Sequence, residues 1–363
     1  MDHINILKRA WEITWRYRVL WIFGIILALT TASGGNGPQA TFSGNGNGNG
    51  GFPPPGDFSM PEISPGVVTA LIAIGIGLAC VIAVLVIVSV VARYVAETAL
   101  IRMVDDHEET GEKHSVRQGF RMGWSRTAFR LFLTRWLVTL PMIVIFILLF
   151  ALAAAPLLLW ATESRTIGVI ATVATIGLGL LILLLAIVIA TAVSLLIKFF
   201  WRACALEELG VIESLRQGFN VVRHHWLDVL IMWLIMIGVN IGWIIAMIVT
   251  TIVLFPVILL LIVVGGLMGG LPALLVGGLA SLFFEGTVPW ILAAVIGGPI
   301  FILIVTAPWI FLGGLMEVFK SSVWTLTYRE LRALEGLDTE REIETEEWPE
   351  LDEPGSDPLP DSL

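Results

Sequence analysis

The chain alternates long apolar runs with short basic or polar segments. An α-helix needs about 20 mostly apolar residues to cross the hydrocarbon core of a bilayer, which is roughly 30 Å thick. Runs near that length predict six membrane spans, at residues 19–32, 67–92, 136–160, 167–197, 227–256 and 291–318. The pattern therefore predicts an all-α, polytopic membrane protein. The first run is short and has basic residues upstream, so a secretory signal peptide is the alternative interpretation of that run.

Two segments between the spans are rich in glycine. Residues 33–65 alternate Gly and Asn and then contain three consecutive prolines. This composition cannot bury enough apolar surface to offset its ordering entropy, so it predicts a disordered outer loop. Residues 257–290 are apolar but broken by paired glycines and Pro272. They predict a re-entrant or interfacial helical hairpin, because irregular backbone at membrane depth must be covered by protein or line a water-filled cavity.

A basic and aromatic phrase recurs just before long apolar runs. It reads LRQGFNVVRHHW at residues 215–226 and VRQGFRMGWSRT at residues 116–127, and a weaker copy, ILKRAWEITWRYRVLW, begins at Ile6. The returning spans each close on a basic residue, namely Arg93, Lys198 and Lys320. Two spans in each repeat return the chain to the side it left, so the repeats are parallel. We expect one transmembrane domain over residues 1–336, in three helix-hairpin repeats at about 4–110, 113–211 and 212–336.

The recurring phrase predicts an amphipathic entry helix in each repeat. Apolar residues of the third copy recur at steps of three and four, which puts them on one face of a helix. These residues are Ile212, Leu215, Phe219, Val222 and Trp226. The apolar face is expected to lie in the acyl boundary of the bilayer, and the opposite basic face to contact anionic phospholipid headgroups. The candidate headgroup contacts are Lys8, Arg9, Arg117, Arg121, Arg216 and Arg223.

Composition and charge place the chain in the membrane and orient it. Hydrophobic residues make up 57% of the chain and charged residues 14%, which excludes an ordinary soluble domain. Of 21 Lys and Arg residues, Arg165 alone falls in a predicted outer segment, so the positive-inside rule places both termini in the cytoplasm of a bacterial cell. The net charge of −9 comes from residues 337–363, a predicted disordered acidic tail in which Trp348 is a candidate anchor for a cytoplasmic protein partner.

Polar residues within the apolar runs are candidates for a pathway or for helix packing, because they are costly to bury in a membrane. For Asn240 we expect a hydrogen bond between helices, and for Glu317 and Lys198 side chains that extend to the inner boundary. Glu285 is expected to be an interfacial carboxylate at the edge of the glycine-rich hairpin. Both cysteines, Cys80 and Cys204, are expected to be packed free thiols.

No sequence pattern indicates catalysis. GxSxG, HExxH and CxxC are absent from the sequence, and no extramembrane stretch is long enough for a catalytic domain. His107 and His114 flank acidic residues in DDHEETGEKH, but their spacing fits no zinc or calcium site. A solvated charged loop at residues 105–114 is predicted instead. We expect no catalytic residue, metal, cofactor or nucleic-acid partner.

The closing phrase WTLTYRELRALEGLD, at residues 324–338, follows the last span. It resembles the end of the bacterial membrane-domain family attached to some glycerophosphodiester phosphodiesterases. The residues that match that pattern are Tyr328, Glu330, Leu331, Arg332, Glu335 and Gly336. The resemblance implies a membrane-embedded helical domain with a lipid-related or accessory role. The soluble phosphodiesterase barrel and its metal-binding acids are missing from this chain, so the resemblance implies no enzymatic activity.

Together these patterns favour a non-enzymatic scaffold or regulatory module that organises lipid or a partner protein. The alternative is a transporter or permease for a small or lipidic substrate, in which Asn240 and Glu285 line a path. Helices interrupted by proline and glycine favour the transporter, since discontinuous helices build substrate sites in transporters. An intramembrane enzyme is the weakest hypothesis, because no pair of His, Asp or Glu residues lies deep in neighbouring spans.

Overall fold

The computed structural model of the chain describes residues 1–32, 65–157, 165–282 and 288–347, which are almost entirely α-helical and contain no β-strand. The predicted outer loop up to residue 64, Glu285 and Trp348 lie outside the described residues. The helices of the described part are α1 (His3–Arg16), α2 (Val19–Ala32), α3 (Pro65–Thr110), α4 (Val116–Gly123), α5 (Arg126–Ala154), α6 (Arg165–Leu206), α7 (Val211–His224), α8 (Trp226–Val253), α9 (Phe255–Ala280) and α10 (Val288–Glu347).

Six of these helices, α3, α5, α6, α8, α9 and α10, are long and apolar enough to cross a membrane. The prediction of an all-helical protein with several membrane-spanning helices is confirmed. The set differs from the predicted one, because α9 takes the place of α2. Helix α2 has 14 residues, so it is only about 21 Å long at 1.5 Å per residue. It is bent by 100° from α1, and counting that bent pair as one span raises the number to seven.

The described residues of the glycine-rich segment at 257–290 belong almost entirely to two helices, which pack against each other. Helix α9 is continuous over 26 residues despite Pro272, and α10 begins at Val288. A Cβ atom built on Gly269 would lie 2.6 Å from the carbonyl oxygen of Gly297, so the two backbones are in direct contact. Glycine weakens a helix in water, but in a membrane small residues let helices pack closely. This is why the paired glycines join two helices here and do not interrupt them.

Helix α10 runs antiparallel to the end of α8 and then to α9. The indole Nε1 of Trp309 donates a hydrogen bond to Thr251 Oγ1 at 3.2 Å, and further along, Gly269 meets Gly297. Helices α8 and α9 have 28 and 26 residues, so in succession they extend over about 80 Å. One crossing of a roughly 30 Å core cannot contain both. Helix α9 is therefore an apolar segment additional to the crossing by α8.

Helices α3, α6 and α10 continue well past the predicted ends of their spans. Helix α3 extends to Thr110, so the first half of the predicted loop at residues 105–114 is helical. Helix α10 has 60 residues and includes residues 337–347, where a disordered tail was predicted. Those eleven residues contain no Gly or Pro, and a helix that is already nucleated propagates at little cost through such a sequence.

The chain divides into two compact units. The first contains Met1–Ala10, Leu133–Met232 and the described residues from Val323 onward, and the second contains Trp11–Phe132 and Trp233–Ser322. In the first unit the buried apolar residues include most of 199–205 of α6 and much of 323–331 of α10, and in the second they include much of 94–104 of α3. The apolar side chains at 81–88 of α3 and 180–188 of α6 are mostly exposed. Long exposed apolar faces of this kind mark contact with membrane lipid.

Candidate lipid-headgroup surface

Helix α7, the third copy of the recurring phrase, has three faces. Ser214, Gly218 and Val221 are buried against the protein. Ile212 is 77% exposed and Phe219 is 50% exposed, as expected for side chains that meet the acyl boundary. The polar face lies between the buried face and the exposed apolar face, so the helix can contact protein, lipid and water at the same time.

The glycine of the recurring phrase attaches α7 to the preceding helix. A Cβ atom on Gly218 would lie 2.6 Å from Cδ1 of Phe200 and 3.1 Å from the backbone nitrogen of the same residue, in α6. In α4 the matching residue is Gly119, where a Cβ atom would lie 2.5 Å from Sδ of Met103, in α3. In α1 the matching residue is Ala10, which has no exposed surface. A small residue at this position lets each entry helix pack closely on its neighbours.

Helix α4 begins with a capping box. The backbone N–H of Ser115 donates to Gln118 Oε1 at 2.8 Å, and the backbone N–H of Gln118 donates back to Ser115 Oγ at 3.4 Å. This reciprocal pair satisfies N–H groups that a helix start leaves unpaired. A helix of only eight residues is marginal alone, so its cap and its glycine contacts are what fix it.

The six cations predicted to contact headgroups are all exposed, two on each entry helix. Aromatic side chains stand beside them: Trp11 is 52% exposed on α1, Phe120 is 40% exposed on α4, and Trp226 is 58% exposed just after α7. Exposed cations next to exposed aromatic rings are typical of helices at a membrane interface.

Residues of the closing phrase form hydrogen bonds with Glu207, which directly follows α6, and this set of contacts is called the clasp. Arg332 binds Glu207 through two hydrogen bonds, from Nε to Oε1 at 2.8 Å and from Nη2 to Oε2 at 3.2 Å. The hydroxyl of Tyr328 also donates to Glu207, and Arg332 Nη1 donates to Glu335 Oε2 at 2.9 Å. The sequence analysis did not single out Glu207, which lies 125 residues from Arg332. This clasp fixes the last helix beside the start of α7.

The amino-terminus joins the same end of the first unit. The backbone N–H of Asp2 donates to Glu330 Oε1 at 3.3 Å, and His3 Nε2 lies 3.5 Å from Asp228 Oδ1. The start of α1, the start of α8, the residue that follows α6 and residues 330–332 of α10 therefore meet within this unit.

Two of the basic residues that close the spans have specific partners. Lys198 Nζ lies 4.5 Å from the ring centroid of Trp324, in cation–π geometry. Lys320 Nζ pairs with Glu317 Oε1 at 3.4 Å. Lys198 and Glu317 were expected simply to extend to the boundary, and the structure adds these contacts. Arg202, which the sequence analysis missed, is 2% exposed, and its Nη1 donates to the carbonyl oxygen of Lys198 at 2.7 Å.

Of the pathway candidates, Asn240 and Glu317 lie among the described residues. Asn240 is exposed on α8 and makes no hydrogen bond to another helix within the described residues, contrary to expectation. Its position in the sequence could not reveal which face of α8 it occupies. Glu317 is engaged with Lys320, and Glu285 falls outside the described residues. Of the two cysteines, Cys204 is buried as expected, while Cys80 is exposed.

The histidine-rich segment packs locally. His114 Nε2 lies 3.3 Å from Asp106 Oδ2, and the hydroxyl of Tyr17 donates to the carbonyl oxygen of His114 at 3.1 Å. Tyr17 lies between α1 and α2, and burial raises the pKa of its hydroxyl. No group of three or more His, Cys, Asp or Glu side chains is placed to hold a metal ion in the described part of the chain.

Comparison with known proteins identifies a family but no function. No curated protein matches the chain, and no solved structure matches it. A family of unknown function, DUF7544, matches residues 7–331. The match covers α1 through most of α10, including all three copies of the recurring phrase, and so the chain belongs to the DUF7544 family.

Proposed function

We propose that this chain is a non-enzymatic scaffold or regulatory module of the cytoplasmic membrane that binds anionic phospholipid headgroups through α1, α4 and α7. The observation that carries the proposal is the exposure of six cations beside exposed aromatic rings on these short helices. A Lys or Arg near an anionic membrane surface contributes about 1 kcal/mol, and aromatic rings favour the interface.

The proposal includes three parallel repeats with both termini in the cytoplasm. It is supported by the hydrogen bond between Asp2 and Glu330, because the start of the chain then lies beside the part of α10 that follows the last apolar run, as expected if both termini lie on one side. The matching small residues Ala10, Gly119 and Gly218 support a common origin of the entry helices. The acidic tail at residues 337–363 is proposed to bind a cytoplasmic protein partner.

Lipid association measured by electron paramagnetic resonance tests the proposal. The protein would be reconstituted in vesicles that contain spin-labelled phosphatidylglycerol or spin-labelled phosphatidylcholine with the same acyl chains. We expect the immobilised fraction to be several-fold larger for phosphatidylglycerol at low salt, and the preference to vanish when the six cations are replaced by Gln. Exchanging Lys for Arg and Arg for Lys at the same six positions preserves the charge and serves as the matched control. Equal association of both lipids with the wild-type protein would contradict the proposal.

A transporter or permease is the second candidate, and one observation favours it. An open groove of about 1030 Å³ lies between α9 and α10, lined mainly by glycine and alanine. It ends at Ser281 and Trp290, which flank Glu285 in the sequence. If the groove carries substrate, Glu285→Gln should change flux in proteoliposomes, while Glu208→Gln, an exposed carboxylate outside the groove lining, leaves it unchanged. A sealed interior with no flux would leave the scaffold proposal standing alone.

A further inference from the structure

The three entry helices differ in how much negative charge accompanies their cations. Between Lys113 and Arg135 the chain carries six Lys and Arg residues and no Asp or Glu. Helix α1 contains Glu12 and α7 contains Glu213, so a carboxylate stands within each of those helices. The segment that contains α4 and the start of α5 is therefore the most uniformly basic surface among the three copies.

The turn between α4 and α5 concentrates this charge at a tight corner. Only Trp124 and Ser125 separate the two helices. The backbone N–H of Trp124 donates to the carbonyl oxygen of Phe120 at 2.7 Å, and that of Ser125 donates to the carbonyl oxygen of Gly123 at 2.8 Å. Exposed arginines stand on both sides of the corner, and none of Arg117, Arg121 and Arg126 pairs with a carboxylate among the described residues.

The first turn of α5 adds polar groups that suit an anion. The side-chain oxygen of Ser125, directly before the helix, is buried and has no hydrogen-bond partner within the described chain. The first N–H groups of a helix have no partner inside it and favour negative charge. The first turn contains no acidic residue, and Arg102 Nη2 donates to Thr127 Oγ1 at 3.0 Å, which brings a further guanidinium to this turn. Helix starts with this character bind phosphate.

The surroundings of the corner favour a phosphate carried by a lipid. Trp124 is 72% exposed and Phe129 is 65% exposed. After this basic start, α5 is itself one of the long apolar helices. A phosphate held at the corner would thus have an aromatic and apolar surface beside it, where acyl chains can lie.

We propose that the α4–α5 corner binds the phosphodiester of one anionic phospholipid, with Arg121, Arg126, Ser125 Oγ and the first N–H groups of α5 as its contacts. This inference rests on the proposed function and deepens it, because it replaces three equivalent lipid-binding helices by one specific site. The acyl chains of the bound lipid lie along Trp124 and Phe129.

Native mass spectrometry of the full-length protein in a mild detergent tests the site. The protein would be titrated with phosphatidylglycerol and, separately, with phosphatidylcholine of the same acyl chains. We expect one phosphatidylglycerol molecule to bind at least ten-fold more tightly than phosphatidylcholine. Arg121→Gln with Arg126→Gln should weaken that binding about thirty-fold, the effect of two cations at a charged surface. Ser125→Ala removes only a hydroxyl that has no hydrogen-bond partner among the described residues, so it should leave folding intact and weaken lipid binding about five-fold.

The comparison variant is Arg216→Gln with Arg223→Gln, which removes the same charge from α7, a part of the general headgroup surface, and should weaken binding several-fold less than the α4–α5 double variant. Equal losses in the two double variants would overturn the specific site but leave a general lipid surface. If the wild-type protein does not discriminate between the lipids, both this inference and the proposed function fail. Displacement of the lipid by inorganic phosphate would show a site for a soluble anion and would also overturn the inference.

Discussion

Replacing Gly218 by Ala is expected to loosen α7 from α6. The added Cβ would lie 2.6 Å from Cδ1 of Phe200 and 3.1 Å from its backbone nitrogen. Phe200 is 5% exposed, so its ring has little room to move. Overpacking of this kind costs about 1 to 3 kcal/mol, while the better helix propensity of Ala returns about 1 kcal/mol. We expect a net loss of about 0 to 2 kcal/mol.

Two other glycines complete the series. At Gly119 a Cβ would lie 2.5 Å from Sδ of Met103 and 2.7 Å from Cζ of Phe23, and both side chains are fully buried. Gly119→Ala should therefore also destabilise the protein, by an amount similar to Gly218→Ala. At Gly238 a Cβ would meet nothing within 4 Å, so Gly238→Ala should leave stability unchanged or slightly raise it.

Thermal unfolding in detergent, followed by tryptophan fluorescence, measures this series. A loss of up to about 2 kcal/mol should lower the unfolding temperature of Gly218→Ala by as much as a few degrees. Gly218→Ala and Gly119→Ala should both unfold at lower temperatures than Gly238→Ala. If Gly218→Ala unfolds at or above the temperature of Gly238→Ala, the close packing of the entry helix on α6 is refuted.

Three further predictions follow from other contacts. Glu207→Gln and Arg332→Gln should each destabilise the protein. The double variant should show a coupling energy of about 1 kcal/mol by thermal unfolding, a modest value because both side chains are partly exposed. Strictly additive losses of stability would contradict the clasp. Burial raises the folded-state pKa of Tyr17 above 10.0, so its contribution to stability is complete below pH 10 and is lost as pH rises further. Tyr17→Phe should accordingly flatten the fall in unfolding temperature above pH 10, and an unchanged slope would argue against this assignment. Deletion of the chain after Gly336 should abolish recovery of a cytoplasmic partner by crosslinking, whereas undiminished recovery would place the partner elsewhere.

Apolar patterning predicted the membrane helices well, because a lipid-facing helix needs apolar residues on nearly every side. It also predicted which side chains of α7 face outward, such as Ile212 and Phe219. It missed the protein-facing stripe of Ser214, Gly218 and Val221. Small residues contribute little to hydropathy. Their separations of four and three positions along the sequence nevertheless indicate one face of a helix.

Contacts between distant residues could not be predicted from the sequence. Glu207 and Arg332 meet only because α6 and α10 pack together, and nothing local marks Glu207 as a partner. Helix α9 was misjudged for a different reason. Its paired glycines indicate broken structure by their propensity in water, whereas contacts such as Gly269 with Gly297 make them the means of close packing.

Cysteine accessibility in intact cells tests the central claim most directly, which is a multi-pass protein whose entry helices and termini lie on the cytoplasmic side. Single cysteines would be placed at Ser43, Glu163, Glu285 and Ser356 after replacing Cys80 and Cys204. We predict that the first three react with a membrane-impermeant maleimide in intact cells and that Ser356→Cys reacts only after lysis. Labelling of Ser356→Cys from outside, or protection of Ser43→Cys, would contradict the account.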